Sequence, residues 1–398
     1  MVGKLGMLLR QGTGMLLFDY GMLPKDPPEY PLPAPPVDAA FISHSHLDHV
    51  GMVPWLTRRN ETDIIASPPT LEVGDLLLDD SIKVARAEGY PAPYDARDVQ
   101  HARRFFRALD HGESVEMGGQ EVTLHPAGHI PGATMFEVNG PKTTVFTGDL
   151  HTLTTDLVWG AKPVRCDTLV IESTYAGRNH PDREKSMWAF LRKVTEVVER
   201  GGLAIVPAFA VGRTQDILLT LLNKRFDVWL DGMGKTVNGI YSGHPDYVRS
   251  VKRLRQAIHR VHVIRAPQQR DRARKGEVIV TTSGMLDGGP VTRYLKDVMD
   301  DPRSAVLLTG YQVPGTQGRR LVDEGVLSLD GTDVRPKFEW TKFDFSAHAG
   351  HDELVRFIEQ CDPETVVLMH GDNREALAAS LEGRRVLMPM EGEWFSLP

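Results

Sequence analysis

Cysteine is scarce in this sequence of 398 residues, which contains only Cys166 and Cys361. Two cysteines cannot form a disulfide framework, so we expect two buried thiols and a reducing compartment, the cytoplasm. The sequence also has no run approaching the roughly 18–20 apolar residues that cross a bilayer, and its first residues lack the pattern of a signal peptide. We therefore expect no membrane partner.

Basic residues are outnumbered, since 46 Lys and Arg face 53 Asp and Glu and the formal net charge is −7. That balance argues against a protein coated with nucleic acid, although a local basic channel remains compatible with it. Residues 249–275 are a basic exception. They are either a patch for an RNA backbone or the solvated face of a helix, and the sequence leaves both interpretations open.

The order of the predicted elements indicates an α/β protein. Helices are predicted at about 69–87 and 95–107, and residues 113–149 alternate as strands do. From about residue 203 to 312, strands alternate with helices, which is typical of βαβ units and a parallel sheet. The same alternation returns near the end of the sequence.

Side chains that bind metals are crowded into "FISHSHLDHVG", residues 41–51. His44, His46 and Asp48 alternate, so an extended or looping backbone can aim them alike, and His49 begins a predicted helix. Three imidazoles and a carboxylate suit Zn²⁺, and also Mn²⁺ or Fe²⁺ where carboxylates contribute. The alternative is a polar loop that contains histidines by chance.

Further candidate ligands follow apolar strands at later positions. His129 lies in the turn "HPAGHIPGA", Asp149 ends "TTVFTGD", and His370 ends "TVVLMHG". A lone His or Asp at a strand end is usually a turn residue. Three of them, each beside a glycine, favour one shared site, in which a carboxylate bridges two cations.

These motifs resemble a known family. "HSHLDH", "GHIPGA", "FTGDL" and "MHGD" resemble the metallo-β-lactamase fold of metal-dependent hydrolases. "VIESTYAGR", "PAFAVGRTQDIL", "TSGML", "GYQVPGTQGRRL" and "KFDFSAHAGHDEL" are similar to its β-CASP branch of nucleases, which includes archaeal RNase J-like and CPSF-like enzymes of mRNA processing. The resemblance implies a four-layer αββα domain at 1–180 and 326–398, interrupted by an α/β cap with a parallel sheet at 181–325.

The resemblance also implies roles for individual residues. One metal would be held by His44, His46 and His129, and the other by Asp48, His49 and His370, with Asp149 as the bridge. Asp19 in "LLFDYG" would orient the ligand loop, and Asp48, Asp149, Glu172 and His348 would be catalytic. Arg213, Ser283 and, more weakly, Arg319 would contact phosphate. A cap or ion-pair role for Glu172 and a turn role for Ser283 stay open alternatives.

The sequence departs from the family in two respects. Its first strand is expected to be missing, which would change the edge of the first sheet, and we expect no RNA-binding module of the KH type. Any grip on RNA would then come from the catalytic cleft and the cap.

The implied activity is two-metal hydrolysis of phosphodiester bonds in single-stranded RNA, with two divalent ions, Zn²⁺ or Mn²⁺. Of the two modes, 5′→3′ exonuclease is favoured over endonuclease. The partners would be single-stranded RNA, a second copy of the chain in a homodimer and an RNA-processing complex. Two alternatives are a hydrolase of a small ester or thioester and a non-catalytic scaffold subunit.

Overall fold

The computed structural model describes residues 3–25 and 27–397. The chain forms two compact units. One comprises the described residues up to Asn179 together with those from Ala347 onward, and the other is His180–Ser346. Among the described residues, no helix combines the length and the apolar character needed to cross a membrane.

The first unit contains a mixed sheet of five strands in the order β1-β2-β3-β4-β5. Its strands are β1 (Met7–Gln11), β2 (Gly14–Phe18), β3 (Ala39–Phe41), β4 (Asp63–Ala66) and β5 (Phe106–Ala108). β1 and β2 form an antiparallel hairpin, and the remaining pairs are parallel. β1 therefore forms one edge of this sheet.

A second sheet in the same unit has seven strands in the order β20-β19-β10-β9-β8-β7-β6. Its strands are β6 (Ser114–Met117), β7 (Gln120–Pro126), β8 (Thr134–Asn139), β9 (Thr144–Phe146), β10 (Thr168–Glu172), β19 (Thr365–Met369) and β20 (Arg385–Leu387). β6 to β9 form an antiparallel meander, whereas β9, β10, β19 and β20 pair in parallel. The segment after Ala347 thus supplies strands to this sheet.

The two sheets pack face to face over an apolar core that includes Phe18, Phe41, Phe136 and Phe146. The other face of the first sheet packs against helices, burying Val53, Leu56, Leu78 and Ile82, among others. The helices of this unit are α1 (Leu47–Val50), α2 (Val53–Arg59), α3 (Pro68–Glu88), α4 (Ala96–Ala102), α12 (His351–Cys361) and α13 (Arg374–Ala378).

The second unit is built on a sheet of six parallel strands in the order β13-β12-β14-β11-β15-β18. These strands are β11 (Ala204–Pro207), β12 (Val228–Asp231), β13 (His262–Val263), β14 (Val278–Thr281), β15 (Ala305–Leu308) and β18 (Glu339–Lys342). A small hairpin joins β16 (Leu327–Leu329) to β17 (Thr332–Val334).

Helices alternate with the strands of this parallel sheet, as the sequence predicts. They are α5 (Arg183–Glu199), α6 (Arg213–Leu221), α7 (Gly234–Gly243), α8 (Val251–His259), α9 (Arg270–Ala273), α10 (Gly289–Val298) and α11 (Gln317–Glu324). Every residue of β11, β12, β14 and β15 is buried, which is the usual state of parallel strands covered on both faces.

The predicted α/β class, with a cap that contains a parallel sheet, is confirmed. Two boundaries differ. The predicted return to the first unit at residue 326 falls inside the second unit, because β18 pairs with β15. The helix predicted at 95–107 ends at Ala102 and gives way to a 3₁₀ turn (Arg103–Phe105) and to β5.

Candidate metal centre

The candidate metal ligands follow the carboxyl ends of strands in the first unit. His44 comes three residues after β3, Asp149 three residues after β9, and His370 directly after β19. His370 has φ +47°, a left-handed backbone conformation that residues other than glycine seldom adopt. The strand ends thus bring residues from distant parts of the sequence to one place.

One group of ligand atoms gathers around His44. Ligand atoms of His44, His46, His129 and Asp149 all lie within 4.8 Å of one another. His44 Nε2 and His129 Nε2 lie 3.0 and 3.3 Å from His46 Nδ1. Asp149 Oδ2 is 3.6 Å from His44 Nε2 and 3.8 Å from His129 Nε2.

A second group shares the same aspartate. Asp149 Oδ1 lies 3.4 Å from His49 Nε2 and 3.7 Å from His370 Nε2. Asp48 Oδ2 is 3.8 and 3.6 Å from those two nitrogens. The two oxygens of Asp149 therefore face the two groups, which is the arrangement that a bridging carboxylate needs.

Buried polar atoms in this centre lack ordinary partners. His49 Nε2 and Asp149 Oδ1 make no hydrogen bond to any described residue, although both are buried. Buried polar atoms are nearly always hydrogen-bonded, so such orphans need another explanation. Imidazole nitrogens and carboxylate oxygens are the ligand atoms that bind Zn²⁺ and similar divalent cations. The residues therefore fit a divalent metal.

Asp19 fastens the loop that carries the first ligands. Its carboxylate accepts hydrogen bonds from Ser43 N (2.7 Å), Ser43 Oγ (2.8 Å) and His49 Nδ1 (2.8 Å). The bond to Nδ1 leaves His49 Nε2 facing Asp149. Gly21 lets the segment that follows Asp19 pack closely against the ligand loop, since a Cβ at this position would lie 1.7 Å from the carbonyl oxygen of Asp48.

Burial and charge set the protonation of the centre. Burial holds the pKa of His44 and that of His129 well below the usual value, which keeps the imidazoles neutral and able to bind a metal. Burial also lowers the pKa of His46. For His49, burial acts in the same direction, but Asp149, Asp19 and Asp48 outweigh it and raise the pKa.

Glu172 and His348 form a pair beside the aspartate that the two groups share. His348 Nδ1 lies 3.0 and 3.2 Å from the two carboxylate oxygens of the fully buried Glu172. Its Nε2 lies 3.8 Å from Asp149 Oδ2. Burial lowers the pKa of His348, but Glu172 and Asp149 outweigh burial and raise the pKa to about 9. Glu172 also accepts a hydrogen bond from Leu150 N (2.6 Å).

The three predicted phosphate contacts all lie in the second unit. Arg213 is largely buried, with Nη1 3.5 Å from Asp216 Oδ2. Ser283 Oγ accepts a hydrogen bond from Met285 N (3.3 Å). Arg319 Nε donates to Asp323 (2.6 Å). Contact with phosphate therefore remains a prediction for all three.

Many cations of the basic stretch 249–275 already have structural partners. Arg260 and Arg255 donate to backbone carbonyls, Arg270 pairs with Asp231, and Arg274 pairs with Asp297. These partners all lie within the second unit. Fewer cations of this stretch are therefore available to bind an RNA backbone than the sequence indicates.

Two features of the centre are absent from the predicted site. Ser43 links Asp19 to the ligand loop, and its hydroxyl in "FISHSH" is a signal that could have revealed it. The ring of Tyr175 lies 5.9 Å from that of His348, and the Arg178 guanidinium lies over the Tyr175 ring at 5.4 Å. Both belong to the segment "ESTYAGR", which begins with Glu172.

Comparison with protein families covers most of the chain. The family model of the metallo-beta-lactamase superfamily matches residues 5–207. The Beta-Casp domain model matches residues 214–321, and that of the Zn-dependent metallo-hydrolase RNA specificity domain matches residues 333–389.

Named relatives are similar along most of their length. "Probable RNase MJ4" of Methanocaldococcus jannaschii is 35% identical over 94% of this chain and 92% of its own. "RNase aCSPSF2" of Saccharolobus solfataricus is 34% identical over 100% of this chain and 83% of its own. "Transcription termination factor FttA" of Pyrococcus abyssi is 31% identical over 94% of this chain but only 66% of its own.

A solved structure shares the fold. The crystal structure of a protein of unknown function from Enterococcus faecalis V583 matches with a TM-score of 0.61 and 14% identity, over 98% of this chain and 96% of that one. The matches to the two RNase relatives and to the three family models extend over both structural units. The chain therefore belongs to the metallo-β-lactamase superfamily and, within it, to the β-CASP family.

Proposed function

We propose that the protein is a ribonuclease that hydrolyses phosphodiester bonds of single-stranded RNA in mRNA processing or decay, using two divalent cations, Zn²⁺ or Mn²⁺. The observation that carries the proposal is the pair of ligand groups that share Asp149. Two groups bridged by one carboxylate are the arrangement of enzymes that cleave phosphodiesters with two metals.

The comparisons support RNA as the substrate. Two relatives that match nearly all of this chain carry RNase in their names, and the C-terminal family model is described as an RNA specificity domain. A scaffold subunit without activity is a poorer interpretation, because each of the seven predicted ligands has a ligand atom within 3.8 Å of another.

The cations, when bound, would lower the pKa of a water molecule and neutralise the phosphoryl oxygens. The chain's own residues position the ligands. His129 Nδ1 donates to the Ala347 carbonyl (2.8 Å), which leaves Nε2 facing His46. His49 Nδ1 likewise donates to the Asp19 carboxylate. These bonds fix the ring tautomers before any substrate arrives.

His348 is the candidate proton donor. Glu172 holds Nδ1, so the opposite nitrogen, Nε2, is turned toward Asp149 and the ligand groups. A protonated Nε2 can donate to the 3′-oxygen that leaves the phosphorus, or stabilise a phosphoryl oxygen by a charge-assisted hydrogen bond. The products would carry a 5′-phosphate and a 3′-hydroxyl.

The experiment that tests the function is incubation of metal-loaded protein with labelled single-stranded RNA, beside the same protein stripped by a chelator. We expect cleavage only in the loaded sample, with no cleavage of a matching RNA duplex. Hydrolysis of a small thioester or ester, with intact RNA, would contradict the proposal. An inert protein that binds two metals would contradict it equally.

We propose 5′→3′ exonuclease as the mode of cleavage. RNA labelled at its 5′ end distinguishes the two modes, because an exonuclease releases labelled mononucleotides from the start of the reaction. Labelled fragments of defined length would instead identify an endonuclease.

A further inference from the structure

A compact loop, residues 151–161, follows Asp149. Backbone hydrogen bonds fasten it near both of its ends. His151 N donates to the Ala127 carbonyl (3.0 Å), and Ala161 N donates to the His151 carbonyl (2.9 Å). The loop is therefore a fixed part of the first unit and can present side chains in a defined position.

Two large apolar side chains of this loop face water. Leu157 inside the loop is buried, whereas Leu153 and Trp159 are 46% and 49% exposed. Gly160 lets the backbone segments that carry them approach each other, since a Cβ at that position would lie 2.1 Å from the carbonyl oxygen of Thr152. A single exposed apolar side chain is unremarkable, but two neighbours on a fixed loop form a small apolar surface.

This apolar surface lies on a loop whose backbone packs against the residue that precedes a predicted metal ligand. Gly128, which has φ +74°, immediately precedes His129. A Cβ on Gly128 would lie 2.2 Å from the carbonyl oxygen of His151 and 3.1 Å from the Cα of Gly160. The backbone that carries Trp159 is thus packed directly against the backbone that carries a predicted metal ligand.

We infer that Trp159, with Leu153 beside it, stacks on a nucleobase of single-stranded RNA next to the bond that is cleaved. The inference rests on the proposed function and adds a contact with the base to it. Aromatic side chains stack on any base, since every base has a flat π-face, so such a contact binds RNA with little dependence on its sequence.

Charge on the same segment favours a nucleic acid over an apolar partner. Lys162 and Arg165 follow Trp159 closely and are exposed. They add two positive charges to the segment that follows the loop. Cations beside an exposed aromatic ring are the combination that binds a phosphate backbone and its bases together.

The test combines one substitution with one change in the RNA. Metal-loaded wild-type protein, Trp159→Ala and Trp159→Phe are assayed on oligoribonucleotides in which a single abasic residue is moved along the chain. For wild type and Trp159→Phe, we expect one abasic position to raise KM about tenfold, with kcat nearly unchanged. Trp159→Ala should show that raised KM with the intact RNA and no further rise at that position.

Trp188→Ala serves as the matched control, because Trp188 is 66% exposed and lies on α5 of the second unit. Its kinetics should equal those of wild type. An abasic penalty that persists unchanged in Trp159→Ala would overturn the inference, as would a Trp159→Ala variant that loses only self-association in sedimentation experiments.

A wild-type protein that cleaves no RNA would refute the proposed function rather than the stacking contact. Stacking is then measured by fluorescence anisotropy, as the affinity of metal-loaded wild type and Trp159→Ala for labelled oligouridylate. About tenfold weaker binding by the variant supports the contact, and equal binding refutes it.

Discussion

His348 stands between two carboxylates, with one nitrogen bonded to Glu172 and the other 3.8 Å from Asp149. We expect His348→Ala to abolish RNA cleavage and to leave the metal content close to that of wild type, because the predicted ligand groups do not require this ring. Cleavage assays and elemental analysis of the purified variants check this expectation.

His125→Ala is the control for that variant, since His125 forms a similar pair with Glu137 (2.7 Å) outside the centre. It should cleave RNA normally. If His348→Ala loses its metal, then His348 is a ligand and its assignment as a proton donor is wrong.

Asp149 is the one side chain that both ligand groups contain. Replacing it by asparagine removes the charge and one of the two metal-binding oxygens. We expect Asp149→Asn to hold one equivalent of metal or none, as measured by elemental analysis per chain. Asp231→Asn, which alters a buried carboxylate of the second unit, should keep full loading. Full loading of Asp149→Asn would remove the bridging assignment.

At the level of single residues, the sequence reveals what has distinctive chemistry. His44 to His49 are recognisable because four candidate ligands fall within six positions, and His370 because it follows an apolar strand and precedes a glycine. Trp159 and Tyr175 have no comparable signal in the sequence. Their relation to the centre depends on loop packing and on ring contacts that only the folded chain creates.

The strands that carry the ligands depend on a shared aromatic core. Phe41, the last residue of β3, is fully buried, with ring centroids 5.5 Å from Phe18 and 5.4 Å from Phe136. We expect Phe41→Ala to lower the free energy of unfolding by about 3–5 kcal/mol, through lost burial and the cavity left behind. Denaturant titration followed by circular dichroism measures the loss.

Val84→Ala on α3 is a control for that change, because Val84 is partly exposed. It should alter the free energy of unfolding by no more than about 0.5 kcal/mol. An equally small effect of Phe41→Ala would mean that the two sheets do not share the packed core described above.

A charged cluster joins α5 to the edge strand β18. Glu339 lies 2.6 Å from Lys193 Nζ and 2.7 Å from Arg200 Nη1, and these cations lower its pKa to about 2. A carboxylate with a lowered pKa stabilises the fold above its ordinary pKa of 4.5, and this contribution is lost as the pH falls toward 2.

We expect Glu339→Gln to lower the free energy of unfolding at pH 7 by less than about 1 kcal/mol, since the pair is partly exposed. The difference from wild type should shrink as the pH falls from about 4.5 toward 2. Denaturant titrations at several pH values measure it. A difference that is constant across this range would exclude the ion pairs as its cause.

At the level of elements, local pattern predicts most strands and the long helices, as for α3 and β10. It fails where pairing with a neighbouring strand determines the boundary of an element. The helix predicted to reach residue 107 ends early because residues 106–108 add to the sheet beside β4, and the first unit resumes only at Ala347 because β18 belongs to the other sheet. Pairing of this kind joins residues far apart in sequence, which periodicity does not encode.

For the whole molecule, bound metal should stabilise the two units unequally. All seven predicted ligands lie in the first unit. We expect a chelator to lower the unfolding temperature of that unit and to leave the second unit unchanged. Scanning calorimetry measures both. The stabilisation reaches about 4 kcal/mol when free metal exceeds its Kd a thousandfold.

Adding Zn²⁺ back should restore the unfolding temperature of the first unit, whereas Mg²⁺, which prefers oxygen ligands, should not. A thermogram that is the same with and without chelator would show that the cluster binds no cation strongly.

The position of β19 has a consequence for synthesis of the protein. This strand lies between β10 and β20 and is followed directly by His370, so the ligand set stays incomplete until residue 370 has left the ribosome. Half-made chains still attached to their message would lack this ligand and His348 as well. Translation order alone would then delay hydrolysis until both residues have emerged.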